Sequence, residues 1–192
     1  MSKSDPSSAL SEALDALRKG GVILYPTDTI WGIGCDASNS AAVRRIFELK
    51  RRSDSKSMLS LIDSDAKLGY YVPDIPDVAY DLMDLAEKPL TIIYDNVRHM
   101  APELIADDGS AGIRVTREEF SQELCRRMGG AVVSTSANIS GQPSPANFSE
   151  ISDEIRAGVD YIVEYRQTEQ TRSVASGIIK LGSGGLVKVI RE

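Results

Sequence analysis

Apolar positions along the chain follow two spacings, one typical of helices and the other of strands. Apolar residues three and four positions apart predict helices at 7–21, 38–52, 77–88, 118–128 and 149–158. Short apolar, β-branched runs predict strands at 22–26, 57–62, 90–95, 111–116, 131–138, 160–165, 176–181 and 186–192. The stretch TDTIWGIGCDA (27–37), which contains two glycines, is predicted to be a loop.

The order of these elements predicts the fold. Strands and helices alternate over most of the chain, which is typical of an α/β protein with a twisted, partly parallel sheet. The last three strands follow one another without helices, so part of the sheet is expected to be antiparallel. With 192 residues and no long linker, the chain is predicted to form a single domain over 1–192, with residues 1–8 as a flexible N-terminus.

A dense positive stretch, LKRRSDSKSM (49–58), stands out in a chain whose net charge is −6. It contains Lys50, Arg51, Arg52 and Lys56. Cations complement the dipole at a helix C-terminus, so a solvated helix end is one interpretation. A phosphate site is the other, because Lys56 extends the charge past the helix and phosphates need several converging cations. The sequence by itself leaves both interpretations open.

A second polar cluster, VVSTSANISG (132–141), follows a buried run directly. Its hydroxyl and amide groups belong to Ser134, Thr135, Ser136, Asn138 and Ser140. Such groups bind phosphate oxygens or another polar ligand in a concave site, but they also form hydroxyl-rich turns and helix caps. Neither GxxxxGK[ST] nor GxGxxG occurs, so the sequence carries no common nucleotide-binding loop.

Residue counts disfavour several other chemistries. The chain has two cysteines, Cys35 and Cys125, and one histidine, His99, so neither a zinc site nor a Ser–His triad is expected. We expect two buried, reduced thiols and a surface histidine. Trp31 fits either the core or a stacking platform for a base. The polar N-terminus and the lack of an apolar run of about 20 residues predict a cytoplasmic protein without a membrane segment.

Several stretches resemble, in the same order, the motifs of the YrdC/TsaC family of threonylcarbamoyl-AMP synthases. GGVILYPTDTIWGIGCDA resembles the opening strand and loop of that family, and LKRRSDSKSM resembles its K-x-R signature. GIRVT is similar to its R-V-[PT] strand, and VVSTSANISGQPSP to its S-[TA]-S-A-N-x-S-G motif. SGIIKL and the final VIRE resemble its terminal strands. The resemblance covers the chain from about Gly20 to Arg191.

The resemblance implies a fold and a reaction. The implied fold is YrdC-like, a twisted mixed parallel/antiparallel sheet with flanking helices and a concave, positively charged cleft. The implied reaction is a nucleotidyl transfer that joins L-threonine, bicarbonate and ATP into threonylcarbamoyl-AMP and pyrophosphate, with Mg²⁺ accompanying ATP. The adenylate then passes to separate threonylcarbamoyl transferase subunits, which modify adenosine 37 of tRNA to t6A. The resemblance also leaves room for direct contact with RNA.

The resemblance also implies the roles of individual residues. Threonine and bicarbonate are expected to contact Thr27, Arg52, Arg114 and Ser176. ATP is expected to contact Lys50, Lys56, Ser110, Ser134, Ser136, Asn138, Ser144 and Arg191. The residues expected to act in catalysis are Lys50, Arg52, Lys56 and Arg114, and those expected to touch Mg²⁺ are Ser136 and Asn138. Arg44 and Arg51 are expected to be bystanders.

The chain departs from the family pattern at three places. Residues 86–89 read AEKP where the family often has W-P-G-P, and Trp31 stands where Tyr or Phe is usual. The S-T-V-V-D pattern becomes SGIIK (176–180), which keeps Ser176 but loses the threonine and the aspartate. This last departure weakens the assignment of roles on that strand.

Two alternatives stay open beside the synthase. One is a non-catalytic RNA-binding module, favoured by the basic cluster from Arg44 to Lys56 and opposed by the acidic total charge. The other is a paralogue that acts on a different carbamoyl acceptor. For the synthase, we expect Lys56→Ala or Arg114→Ala to abolish activity while the protein folds normally, because each side chain is expected to contact ligand and neither to belong to the core.

Overall fold

One mixed sheet of nine strands organises the described part of the chain, which comprises residues 5–51, 58–182 and 186–192 of a computed structural model. The strands are β1 Ile23–Tyr25, β2 Gly32–Gly34, β3 Leu59–Ile62, β4 Leu90–Tyr94, β5 Ala111–Val115, β6 Val132–Ser136, β7 Tyr161–Ile162, β8 Gly177–Leu181 and β9 Val187–Arg191. The helices are α1 Pro6–Arg18, α2 Ser40–Leu49, α3 Leu68–Tyr71, α4 Val78–Leu85, α5 Glu119–Met128 and α6 Asp153–Ala157.

The strands lie in the order β7-β1-β2-β6-β3-β5-β4-β8-β9. The β1–β7, β3–β5 and β4–β8 pairs are parallel, and the remaining neighbours are antiparallel. The predicted mixed sheet with flanking helices is therefore confirmed. The terminal strands β8 and β9 form the expected antiparallel pair, although β8 also runs parallel to β4.

Two sequence-based predictions need correction. The segment 27–37 is not a loop throughout, because β2 lies within it and pairs with both β1 and β6. The flexible N-terminus does not extend to residue 8, since α1 begins at Pro6. The Asp5 carboxylate accepts a hydrogen bond from the Ser7 N–H at 3.1 Å, and proline is favoured in the first turn, so the sequence caps the helix early. Residues 1–4 lie outside the described part.

Apolar side chains form a core on each face of the sheet. Alternation along β1 divides them, with Ile23 and Tyr25 on one face and Leu24 on the other. The first face packs against α1 and α5, and the second packs against α2. Cys35 and Cys125 are buried free thiols, as expected. No helix in the described ranges has the length and apolar character needed to span a bilayer.

Gly34 allows β2 to lie close to its neighbours. A Cβ atom at this position would lie 2.4 Å from the Val133 carbonyl oxygen and 2.6 Å from the Tyr25 ring. The Tyr25 hydroxyl donates a hydrogen bond of 3.0 Å to the same carbonyl, so displacing either neighbour would disturb this hydrogen bond. The glycine is therefore required by the approach of β1 and β6.

We expect Gly34→Ala to lower the free energy of unfolding by about 1–3 kcal/mol, because the added methyl group overpacks a buried site. Urea denaturation checks this value. Gly69→Ala is the matched control, because a Cβ at this helical glycine meets no atom within 4 Å. Equal stability of the two variants would show that the close approach of β1, β2 and β6 is not tight.

Candidate functional site

A small polar cavity of about 100 Å³ lies where the loop before β2, the ends of β6 and β9 and the start of β8 meet. Its lining combines two guanidinium groups with a row of hydroxyl groups. The lining residues are Thr29, Ile30, Trp31, Gly32, Leu59, Arg114, Ser134, Thr135, Ser136, Ser144, Ala175, Ser176 and Arg191. This composition suits an anionic ligand that offers many hydrogen-bond acceptors.

Arg114 is the penultimate residue of β5 and is 2% exposed. Its Nη2 atom lies 2.8 Å from a carboxylate oxygen of Asp28 and 3.3 Å from Thr29 Oγ1. Its Nε is buried, and no residue of the described chain accepts a hydrogen bond from it. A buried guanidinium with an unused donor beside a polar cavity is a ready contact for a ligand carboxylate or phosphate.

The pKa of the Asp28 carboxyl group is subject to opposing effects. Burial raises its pKa above the ordinary value, while the neighbouring Arg114 acts in the opposite direction, and the Glu118 carboxylate adds repulsion. Burial disfavours the charged form of a carboxylate unless a cation compensates for it. The ion pair with Arg114 is therefore what stabilises the charge of Asp28 in this environment.

Arg191 approaches the same cavity from β9. Its Nε donates a 2.8 Å hydrogen bond to the Ser176 carbonyl, and the Ser176 hydroxyl lies 2.9 Å from that of Thr91. Burial lowers the pKa of Arg191, and repulsion by the Arg114 charge lowers it further. Two guanidinium groups that repel each other across a cavity would both gain from an anion bound between them.

Lys50 is 1% exposed and is not among the residues that line this cavity. Its ammonium donates hydrogen bonds to the carbonyls of Ser136 and Asn138, the latter at 2.7 Å. Its own carbonyl accepts from the Ser140 N–H at 3.0 Å. Lys50 thus ties the end of α2 to the hydroxyl-rich loop after β6. Its predicted contact with ATP phosphates stays a prediction.

A second cavity, of about 160 Å³, adjoins the first and shares Leu59 and Arg191 with it. Its lining is mostly apolar, and Ser110 lies at its edge. The Ser110 hydroxyl donates to Asp108 at 2.6 Å, and Lys180 pairs with the same aspartate at 2.6 Å. Together the two cavities offer an apolar compartment next to a cationic, hydroxyl-lined one.

A larger cavity, of about 540 Å³, lies behind Asp28 and has a different character. It is lined by six carboxylates against one lysine and one arginine: Asp28, Asp63, Asp65, Asp84, Glu87 and Glu118, with Lys88 and Arg117. Such a surface repels anions, so size alone does not make it the better candidate for an anionic substrate.

The structure brings together half of the twelve predicted site residues. Those that line the polar cavity are Arg114, Ser134, Ser136, Ser144, Ser176 and Arg191. Those placed elsewhere are Thr27, Lys50, Ser110 and Asn138. Arg52 and Lys56 lie outside the described residues, and their roles stay predictions.

Thr27 is turned inward instead of toward the cavity. It is 2% exposed, and its Oγ1 donates to the Ile30 carbonyl at 2.8 Å and accepts from the Thr29 N–H at 3.1 Å. Thr29 occupies the cavity wall that was expected for Thr27. Thr29 and Asp28 were not among the predicted site residues, although both belong to the T-D-T stretch that indicates the site.

Asn138 closes the loop after β6 on itself. Its side-chain amide donates to the carbonyls of Ile139, at 3.1 Å, and Gln142, at 2.7 Å. Its Oδ1 atom is buried without a hydrogen-bond partner in the described part of the chain. The described residues contain no group of three or more His, Cys, Asp or Glu side chains placed to hold a metal ion.

Three arginines of the basic stretch and its helix face carboxylates at the surface. Arg44 pairs with Glu103, Arg45 with Asp160, and Arg51 with Glu154. These contacts agree with the expected bystander roles of Arg44 and Arg51. His99 is exposed, as expected, and stacks on Tyr70. Trp31 is 7% exposed, packs on Phe148 and also lines the polar cavity.

The burial of Arg114 corrects one expectation about its variants. Arg114→Ala was expected to fold normally, on the assumption that the side chain lies outside the core. Its guanidinium is buried and paired, so truncation leaves the Asp28 carboxylate buried without its cation, which is strongly destabilising. Loss of activity in that variant would therefore combine a folding defect with a binding defect.

We expect Lys50→Met to lower the free energy of unfolding by about 3 kcal/mol, because hydrogen bonds to a charged group contribute about 1.5–3 kcal/mol each. Denaturant unfolding measures the loss. Arg51→Met is the matched control, and we expect a change of about 0–1 kcal/mol, because its pair with Glu154 is exposed. A Lys50→Met variant as stable as the Arg51→Met variant would show that Lys50 does not fasten the loop after β6.

Several known proteins resemble the chain over most of its length. The Sua5_yciO_yrdC family model, described as "Telomere recombination", matches residues 15–192. A protein of Idiomarina loihiensis named threonylcarbamoyl-AMP synthase is 31% identical over 156 residues, which cover 80% of this chain and 84% of that protein. A Thiobacillus denitrificans protein of the same name is 40% identical over 126 residues, which cover 65% of this chain and 67% of its own length.

Solved structures agree with these sequence relatives. P. abyssi Sua5 complexed with L-threonine superimposes with a TM-score of 0.84 at 25% identity, covering 97% of this chain and 54% of that protein. The chain thus spans about half the length of that relative. E. coli YciO superimposes with a TM-score of 0.81 at 25% identity, covering 98% of this chain and 90% of YciO. The YrdC-like fold expected from the sequence motifs is confirmed.

Proposed function

The chain belongs to the Sua5/YciO/YrdC family, and from that membership we propose that it is an L-threonylcarbamoyladenylate synthase. It would convert L-threonine, bicarbonate and ATP into threonylcarbamoyl-AMP and pyrophosphate, which makes it a nucleotidyltransferase. The relatives named threonylcarbamoyl-AMP synthase support this assignment, as does the similarity to a Sua5 that binds L-threonine.

One observation carries the proposal, which is the pair of guanidinium groups in a hydroxyl-lined cavity. Arg114 and Arg191 repel each other there, and the Ser134, Thr135 and Ser136 hydroxyls lie alongside. Threonine brings a carboxylate and ATP brings a triphosphate, so both substrates of this reaction would relieve the repulsion. Charge that develops on the α-phosphate during transfer would be stabilised by the same fixed groups.

The reaction needs positioning more than it needs a protein nucleophile. The threonine amine first combines with bicarbonate to give a carbamate and water. A carbamate oxygen then attacks the α-phosphorus of ATP, the bond to the β-phosphate oxygen breaks, and pyrophosphate leaves. Neither cysteine competes as a nucleophile, because burial raises the pKa of Cys125 to about 12 and that of Cys35 further still. Holding the reactants together supplies the main catalytic effect.

The two adjoining cavities suggest which part of each substrate binds where. The apolar cavity beside Ser110 suits the adenine base, and Arg191 lies between it and the polar cavity. The polar cavity then holds the α-phosphate next to the serine hydroxyls, with the threonine carboxylate on Arg114. Ser144 and Ser176 complete the wall on the side of the terminal strands.

Mg²⁺ would enter as the complex with ATP. Mg²⁺ prefers oxygen ligands and is usually held by substrate phosphates, a few protein oxygens and water. Ser136 offers a hydroxyl, and the buried Asn138 Oδ1 offers an acceptor without a hydrogen-bond partner in the described chain. These neutral donors fit a metal that arrives on the triphosphate, where it would neutralise phosphate charge.

The product determines the partners. A mixed anhydride of a carbamate and a phosphate is reactive toward water, so it requires an acceptor enzyme close by. We assign that role to threonylcarbamoyl transferase subunits that modify adenosine 37 of tRNA to t6A. The reaction would take place in the cytoplasm, where ATP and tRNA are both available.

We expect purified protein to release pyrophosphate from Mg·ATP only when L-threonine and bicarbonate are both present. A coupled phosphate assay after pyrophosphatase treatment measures the release, and mass spectrometry identifies the adenylate. Omission of each substrate in turn is the control. Pyrophosphate release with another amino acid, but not with threonine, would instead indicate a paralogue with a different acceptor. No release with any of them would contradict the proposed function.

We expect Arg191→Gln to lower kcat/KM for ATP about 10- to 100-fold, since a hydrogen bond to a charged group is worth about 1.5–3 kcal/mol. Arg44→Gln serves as the control, because Arg44 pairs with Glu103 and lines neither cavity. Steady-state pyrophosphate release gives both values. Equal kinetics in the two variants would remove Arg191 from the ATP site.

A further inference from the structure

We propose that Asp28 is a positioning residue for threonine, because it fixes the orientation in which Arg114 presents its guanidinium to the polar cavity. The inference rests on the proposed function, in which Arg114 receives the threonine carboxylate. It assigns a role to a residue that touches Arg114 and does not line that cavity.

The Arg114 guanidinium has one nitrogen, Nη2, that is in contact with protein oxygens and another, Nε, that is buried without a hydrogen-bond partner in the described chain. Asp28 and Thr29 Oγ1 both contact Nη2, at 2.8 and 3.3 Å. Nε has no hydrogen-bond partner in the described chain, and Arg114 is one of the residues that line the polar cavity. A guanidinium carries five N–H donors in a rigid plane, so holding one nitrogen fixes the direction of the others.

Asp28 is itself held in place by the loop on either side of it. The Thr27 hydroxyl bridges the Thr29 N–H and the Ile30 carbonyl, which closes the turn around Asp28. The Thr27 carbonyl accepts a 3.3 Å hydrogen bond from Arg166. Arg166 is anchored in turn by Glu118, at 3.2 Å, and by Glu169, at 2.9 Å. These contacts fix the backbone from which the Asp28 carboxylate reaches Arg114.

Asp28 also separates two cavities of opposite charge. It lines the acidic cavity, whereas Arg114 lines the polar one. Without the carboxylate, the guanidinium would be buried without its counter-ion and could turn toward the other acidic groups behind it. The pair therefore keeps the positive charge directed at the substrate and away from the acidic cavity.

This arrangement predicts an effect on one substrate only. Threonine affinity depends on the orientation of Arg114, so a change at Asp28 should weaken threonine binding. Asp28 lines neither the polar nor the apolar cavity, and the ATP phosphates are assigned to the serine hydroxyls and Arg191, so the ATP dissociation constant should change much less than the threonine constant. A general structural role for Asp28 would affect both substrates alike.

The test compares Asp28→Asn, Asp28→Glu and Asp84→Asn with the wild-type protein. Asp84 is the matched control, because it is an exposed carboxylate of the same acidic cavity. Calorimetry measures the dissociation constants of L-threonine and of Mg·ATP separately. We expect Asp28→Asn to raise the threonine constant about tenfold, which is typical for loss of a residue that orients a ligand-binding group. Asp28→Glu should recover part of the affinity, and Asp84→Asn should match wild type.

A second measurement reports on Arg114 without any substrate. The Nε–Hε resonance of Arg114 in ¹⁵N-labelled protein, assigned by its disappearance in Arg114→Lys, should shift and broaden in Asp28→Asn. If Asp28→Asn does not fold, Asp28→Glu replaces it, because the extra methylene displaces the carboxylate and should move the resonance and weaken threonine binding to a smaller degree.

The two measurements distinguish the two proposals. A wild-type protein that binds no threonine would contradict the proposed function, while the Arg114 resonance would still decide the role of Asp28. An unchanged resonance in the Asp28 variants, or equal weakening of threonine and ATP, would overturn the positioning role. A shifted resonance together with a loss of threonine affinity alone would support it.

Discussion

The burial of a positive charge inside the sheet is the constraint on which the site depends. Arg114 is the fourth of the five residues of β5, a strand that pairs with β3 on one edge and β4 on the other. Burial of a guanidinium is costly unless a counter-ion and hydrogen bonds compensate for its lost hydration. Asp28 and Thr29 provide these contacts, and both belong to the loop between β1 and β2. The placement of Arg114 therefore dictates how that loop must fold.

A second buried cation, Lys50, has the same effect on the loop after β6. The Lys50 ammonium binds the carbonyls of Ser136 and Asn138, so the loop after β6 is fastened to the end of α2. The residues of that loop then have defined positions beside the cavity, although the loop itself is not part of a strand or helix. Arg114 contacts the loop before β2 and Lys50 contacts the loop after β6, so in each case a buried cation orders a loop beside the cavity.

The sequence predicts the fold class more fully than it predicts the site. Alternating helices and strands were enough for a mixed α/β sheet, but β2 was missed because a Gly-Ile-Gly segment has little strand propensity of its own. That strand forms because β1 and β6 pair with it on both sides. Four residues that the motifs single out, Arg114, Ser134, Ser136 and Arg191, line one cavity, and their roles stay predictions. The motifs do not reveal that Thr29 lines this cavity while Thr27 does not, because that difference depends on the turn that the Thr27 hydroxyl closes.

The acidic total charge and the cationic site are consequences of the same distribution. Carboxylates neutralise Arg44, Arg45 and Arg51 at the surface, where each such pair adds little to stability. Arg191, in contrast, hydrogen-bonds to Ser176 instead of a carboxylate within the described chain, and it repels Arg114. Carboxylates thus offset the charges of Arg44, Arg45 and Arg51, whereas Arg191 has no carboxylate partner in the described chain. A net charge of −6 therefore coexists with a cavity whose described lining contains two arginines and no carboxylate, because the acidic residues lie elsewhere on the chain.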